Sequence, residues 1–140
     1  MSKIMMRLPK ALQEGDEITI SGHLVDGANE LSIDFTADAD VEDPEDIIYH
    51  FKVHQSKISQ NTKVSGEWLP GETEANTFIL EEKNLTLTFK FISDEVFVYS
   101  GDEGRNFECQ FRLNEPMAHI GAVHVSGDVK RISQVTFRYA

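Results

Sequence analysis

Apolar residues recur at every second position along most of this chain, and that period constrains the fold more than any other feature. Leu31-Ser32-Ile33-Asp34-Phe35, Leu85-Thr86-Leu87-Thr88-Phe89-Lys90-Phe91 and Phe107-Glu108-Cys109-Gln110-Phe111-Arg112-Leu113 all alternate. Shorter runs of the same kind lie at Ile18–Ile20, Ile58–Val64, Thr77–Leu80, Val96–Tyr99, Val123–Asp128 and Val135–Tyr139. A period of two puts successive side chains on opposite faces of a strand. Turn signals interrupt the runs about every 8–12 residues, the spacing of an all-β sandwich or barrel. The nearest helical candidate, Leu8 to Glu14, is short and begins beside Pro9. With 140 residues, no linker and no internal repeat, one domain spanning 1–140 is expected.

The segment Ile47-Ile48-Tyr49-His50-Phe51-Lys52-Val53-His54 carries the most chemistry. As a strand it places Ile47, Tyr49, Phe51 and Val53 on one face. Ile48, His50, Lys52 and His54 then fall on the other. The first set suits a core. The second is a polar row, and a solvated outer face is the commoner origin of such a row.

Charge excludes several partners. There are 24 acidic and 13 basic residues, a formal net charge of −11. Nucleic-acid backbones and anionic lipid surfaces select the opposite balance, so no nucleic-acid partner is expected. No apolar run approaches the roughly 18 residues of a membrane helix, and the MSKIMMRLPK start has no signal-peptide core. The single cysteine, Cys109, rules out an internal disulfide framework. A soluble cytoplasmic protein is expected, and secretion without a signal peptide is compatible with it.

Catalytic and metal templates are missing. No nucleophile elbow, phosphate-cradling glycine loop or HExxH pattern occurs, so no catalytic residue and no cofactor is expected. His50 and His54 are about 13 Å apart on a strand, too far for one zinc ion. The acidic stretch Asp38–Asp46 lacks the glycine and glutamate of a calcium loop and reads as a solvated loop. Cys109 shares its strand face with Phe107 and Phe111, which predicts a buried, inert thiol. Asn84-Leu85-Thr86 matches a glycosylation triplet that stays silent without secretion.

Trp68, the only tryptophan, lies in the turn-prone Gly66-Glu67-Trp68-Leu69-Pro70-Gly71-Glu72. An indole in that setting offers an exposed aromatic face. Such a face can cover the C–H side of a pyranose at about 25 cal/mol per Å² buried.

These pieces, in order, resemble the galectin family of β-galactoside-binding lectins over nearly the whole chain. Gly15-Asp16-Glu17-Ile18-Thr19-Ile20-Ser21-Gly22 resembles the early G-x-x-I-x-I-x-G strand, and Leu31–Phe35 resembles F-x-I-N-L. Asp46–Phe51 is similar to the D-I-x-x-H-F lead into H-x-N-P-R. Asn61, Trp68 and Glu72 follow the family's N…W…E order, with one extra residue after the tryptophan. Val96–Gly101 is similar to F-x-V-x-V-N-G, and Val123–Val129 to the closing L-x-I-x-G-D-V.

The resemblance implies a two-sheet antiparallel β-sandwich of jelly-roll type with a sugar groove on one sheet. By position, His50, Asn61, Trp68 and Glu72 match the family's sugar-contacting residues. The rest departs: Lys52 stands at the asparagine place, Val53 at the proline and His54 at the arginine. Thr73 or Glu74 occupies the place of the final arginine. Hydrogen bonds to charged groups contribute about 1.5–3 kcal/mol each. A ligand with Kd near 1 mM has only about 4 kcal/mol in all. Loss of an amide and two guanidinium groups therefore predicts weakened or changed glycan specificity, with His50, Lys52, His54, Asn61 and Glu72 hydrogen bonding and Trp68 stacking. The acidic surroundings do not favour an anionic sugar. The alternative is a galectin-fold protein-interaction or structural domain that has lost sugar binding. A glycan or glycoconjugate is the expected partner, without membrane insertion, and a homodimer is compatible with the sequence.

Overall fold

The computed structural model describes residues 3–70, 73–78, 80, 84–104 and 106–140, the side chains of 73–76 excepted. Among them the chain forms β1 (Ile4–Arg7), β2 (Glu17–Leu24), β3 (Glu30–Thr36), β4 (Ile47–His54), β5 (Lys57–Val64) and β6 (Glu67–Trp68). It continues through β7 (Thr73–Thr77), β8 (Asn84–Ile92), β9 (Glu95–Ser100), β10 (Asn106–Arg112), β11 (Ala122–Gly127) and β12 (Val129–Arg138). One 3₁₀ turn, Met117–His119, precedes β11. Every strand pairing is antiparallel. A seven-stranded sheet runs β1-β11-β3-β4-β5, with β6 and β7 both paired to β5. A five-stranded sheet runs β10-β9-β8-β2-β12. The expected all-β, two-sheet sandwich is the observed architecture.

Alternation explains how the sheets meet. In β2 and β9 every second residue is buried, so each presents one apolar face. Ile18, Ile20, Leu87, Phe89, Phe91, Val96 and Val98 of the smaller sheet meet Ile33, Phe35, Tyr49, Phe51, Val123 and Val125 of the larger. Phe35 sits edge-on to Phe89 and Phe91, at centroid distances of 4.9 and 5.6 Å, and Phe51 meets Phe89 at 5.5 Å. Edge-to-face pairs of this kind add about 0.5–1.5 kcal/mol each beyond burial.

Two hairpins turn on non-glycine residues with positive φ: Gln55-Ser56 between β4 and β5, and Ser93-Asp94 between β8 and β9. Both central residues of a type I′ turn need that conformation, whose twist matches the strands it joins. The first of these turns sets His54 directly across from Lys57. Glycine is required elsewhere. A Cβ on Gly22 would come within 2.6 Å of the Arg131 carbonyl oxygen. One on Gly127, at φ +102°, would come within 2.7 Å of that of Glu30.

The structure corrects four details of the sequence pattern. A bulge in β4 sets Ile48 and Tyr49 together against Thr62, so that Ile48, not Ile47, joins the core cluster with Tyr49, Phe51 and Val53. The expected Thr77–Leu80 strand is displaced: β7 ends at Thr77, where its pairing with β5 ends. β12 is ten residues long and starts at Val129, with two register shifts that hide its alternation. A further irregularity between Phe107 and Cys109 turns Phe107 outward, half exposed against Tyr99, while Cys109 stays buried.

Candidate functional site

Strand register builds the site on the outer face of the seven-stranded sheet. Residues directly opposite one another share a face, so each cross-strand ladder is a row of neighbouring side chains. One row reads Met5, His124, Asp34, His50, Asn61. The next reads Ser126, Ser32, Lys52, Ser59, and a third Glu30, His54, Lys57. His50, Lys52 and His54 therefore do share a face, on three successive rows about 7 Å apart along the strand.

His50 is the best-positioned of them. Its Nδ1 is hydrogen-bonded to Asp34 Oδ1, and both side chains are nearly buried. An ionised carboxylate only accepts, so Nδ1 carries the hydrogen and the Nε2 edge is left for another partner. The imidazole lies against Trp68, centroids 4.5 Å apart and planes inclined by 49°. Trp68 belongs to the two-residue β6, opposite Lys63, and is 47% exposed. Lys63 Nζ stands 5.7 Å from the indole centroid.

Asn61 works on the chain itself. Its amide Nδ2 donates to the Leu69 carbonyl at 3.2 Å, and its Oδ1 accepts from the Thr62 amide at 2.8 Å. Together with the Leu69 amide donating to the Thr62 carbonyl at 3.0 Å, these bonds hold the segment that carries Trp68. Lys52 is half-buried and His54 exposed, one and two rows away from His50 on the side opposite the Lys63–Trp68 pair. Glu72 lies outside the described residues.

Two residues of the first row went unassigned in the sequence. Asp34 stands in an alternating strand like any polar position, and only register reveals that it faces His50. His124 is 1% exposed, and neither ring nitrogen finds a hydrogen-bond partner. Burial pushes its pKa below the ordinary value, helped by the Lys3 charge. The Asp38 backbone, near but outside hydrogen-bond geometry, and the Asp34 and Asp38 charges offset this in part.

Cys109 faces the interior, where its Sγ meets Gln60 Oε1 at 3.4 Å, beside the Tyr49 hydroxyl that donates to the same oxygen. Burial is the main reason its pKa is pushed up to about 12, and Tyr49 is raised well above its ordinary value for the same reason. A thiol held protonated is no nucleophile. Among the described residues no group of three or more His, Cys, Asp or Glu side chains could hold a metal ion. None of their helices is long and apolar enough to cross a membrane.

An antiparallel two-sheet sandwich with a polar, indole-edged outer face defines a β-sandwich whose exposed sheet can seat a ligand against Trp68. A family model for galactoside-binding lectins matches residues 3–137, and the chain belongs to that family. Among solved structures, sheep galectin-11 in complex with glycerol is 21% identical with a TM-score of 0.82 over 98% of both chains. A toad ovary galectin in complex with thio-digalactose is 14% identical with a TM-score of 0.80 over 99% of both. At these identities the likeness speaks to the fold. No curated protein matches the sequence.

Proposed function

We propose that residues 1–140 act as one non-catalytic carbohydrate-recognition domain of galectin type, whose altered site binds ordinary β-galactosides weakly or with changed specificity. The observation that carries this reading is the His50–Trp68 pair, with His50 oriented by Asp34 and in register with Asn61. In this reading the exposed indole covers the apolar face of a pyranose, and His50 Nε2 meets a hydroxyl on the same ring. Lys52 and His54 meet further polar groups of the glycan, and Asn61 holds the indole segment while lining the floor. Glu72 is assigned a hydroxyl contact on the strength of its place in the family motif. That toad ovary galectin was solved with thio-digalactose makes a galactoside the first ligand to try.

The altered specificity follows from chemistry. Lys52 is a point charge that donates only, where the family has an amide that both donates and accepts. His54 cannot offer the planar fork of a guanidinium. Titration with lactose and thio-digalactose, read by Trp68 fluorescence, tests the reading. Weak saturation at millimolar sugar supports it. Micromolar lactose affinity overturns the weakened site, and no response to any glycan on an array overturns the lectin.

The same substitutions favour one second reading, a protein-interaction domain with a defunct groove. A pulldown that recovers a specific protein partner, with no glycan binding beside it, would establish that reading instead. A cytoplasmic site of action, with export independent of a signal peptide, accompanies either reading.

A further inference from the structure

The indole that lies on His50 has a short support. β6 has two residues, and the Val64–Glu67 and Lys63–Trp68 pairs join it to β5. A two-stranded hairpin by itself is marginal in water. Beyond Trp68, Asn61 and the Leu69 amide hold the segment. Ahead of Trp68 lies the turn Ser65-Gly66, and that turn is gripped from outside its own hairpin.

Ser65 and Gly66 have φ of +51° and +83°, the backbone of a type I′ turn. Their two amides donate away from the hairpin. Ser65 N–H meets Asp46 Oδ1 at 2.9 Å, and Gly66 N–H meets the Glu45 carbonyl at 2.8 Å. Two consecutive residues at the end of the acidic stretch thus accept from two consecutive amides at the tip of the hairpin. Any residue at position 45 would supply its carbonyl. The Asp46 carboxylate is the one side chain in this bracket, and a carboxylate on a backbone amide makes the stronger, charge-assisted bond. The stretch is itself tied to the far edge of the same sheet. Asp40 pairs with Arg7 of β1 at 3.0 Å, and Asp43 with Lys3, just before β1, at 3.9 Å. The segment expected as a solvated loop is therefore a strap from the β1 edge to the β6 edge.

We infer that Asp46 is a positioning residue for saccharide binding: by capping the Ser65 amide it fixes the β5–β6 turn so that Trp68 is seated on His50. Asp46 is exposed and lies off the row that carries His50 and Asn61, so it acts through the indole. A turn freed at its tip lets the indole leave the imidazole. The face that covers a pyranose is then formed for only part of the time, and affinity falls by that fraction. The effect on affinity rests on the lectin reading above. The seat of the indole is measurable without any ligand.

The test compares the full chain with Asp46→Ala, Asp46→Asn and Glu42→Ala. Trp68 is the only tryptophan, so its emission reports its own seat. Without ligand, Asp46→Ala should shift that emission to the red and raise its quenching by acrylamide. Asp46→Asn keeps an oxygen that accepts from Ser65 and should restore both signals. Lactose affinity should fall about three- to tenfold in Asp46→Ala, the loss of one hydrogen bond, and recover in Asp46→Asn. Glu42→Ala removes a charge from the same strap, keeps its backbone, and should match the parent throughout. Melting temperatures should stay close to the parent's, as for other exposed positions. A lowered melting temperature with unchanged quenching would make Asp46 structural only and overturn the inference. So would a Glu42→Ala that reproduces the Asp46→Ala effects, since net charge would then be the cause. If the parent binds no glycan, the lectin reading fails, while the quenching comparison still decides whether Asp46 seats the indole.

Discussion

His50 and Asp34 face each other across β3 and β4, and the Asp34 carboxylate accepts the Nδ1 hydrogen of the imidazole that Trp68 covers. One hydrogen bond thus joins the middle of the larger sheet to the exposed indole at its rim. Both side chains are close to nine-tenths buried, so neither finds a full replacement in water.

Asp34→Ala should therefore destabilise the fold by about 1–3 kcal/mol, the cost of a buried polar group left without its partner. It should also weaken saccharide binding by releasing the ring. Asp34→Asn keeps an acceptor and should lose less than half as much of each. Thermal melts and lactose titrations of the two variants check this. Equal melting temperatures for Asp34→Ala and the parent chain would contradict it.

Trp68→Ala should separate binding from stability. The indole is 47% exposed on a two-residue strand, and surface substitutions usually stay within about 0.5 kcal/mol. Saccharide binding should fall below detection while the urea midpoint barely moves. A large fall in the midpoint would make the indole a structural element first.

His124 should make the fold acid-sensitive. Its folded pKa is lowered by burial, so the unfolded chain takes up a proton first as pH drops. The stability it contributes is complete above about pH 6.5 and is lost as pH falls through the lower folded value. His124→Leu removes both the titration and two unsatisfied nitrogens, and its melting temperature should fall less between pH 7 and pH 5 than that of the parent. Parallel curves would exclude His124 as the source.

Cys109 acts at the opposite end of the pH scale. Its folded pKa near 12 lies above the ordinary 9.0, so its contribution is intact below about pH 9 and is lost as pH rises towards 12. Cys109→Ala should flatten the fall of the urea midpoint between pH 9 and 11. Tyr49, raised in the same direction, should keep part of the slope. At pH 8.5 the native thiol should resist iodoacetamide and react once urea unfolds the chain. Rapid native alkylation would show that the interior opens there.

Period-two patterning made the sandwich legible because each buried sheet face demands an apolar residue at every second position. It failed where register slips. The bulge at Ile48-Tyr49 exchanged the roles of Ile47 and Ile48, and the irregularity beside Phe107 turned that ring outward. Only the second half of β12, from Val135 on, was legible, because two shifts break the alternation of its first half. At the site, the shared face of His50, Lys52 and His54 followed from their spacing alone.

The amino-acid order was enough for strand identity, the polar face of β4, the inert thiol and the family likeness, since all of these depend on residues close together in the chain. The pairing of Asp34 with His50, the seat of Trp68 on that imidazole and the serine-flanked Lys52 depend on register between strands 16 residues or more apart in places. Local periodicity carries no information about register. It is chosen by the turns, the bulges and the packing of one sheet on the other, which exist only once the whole chain has folded.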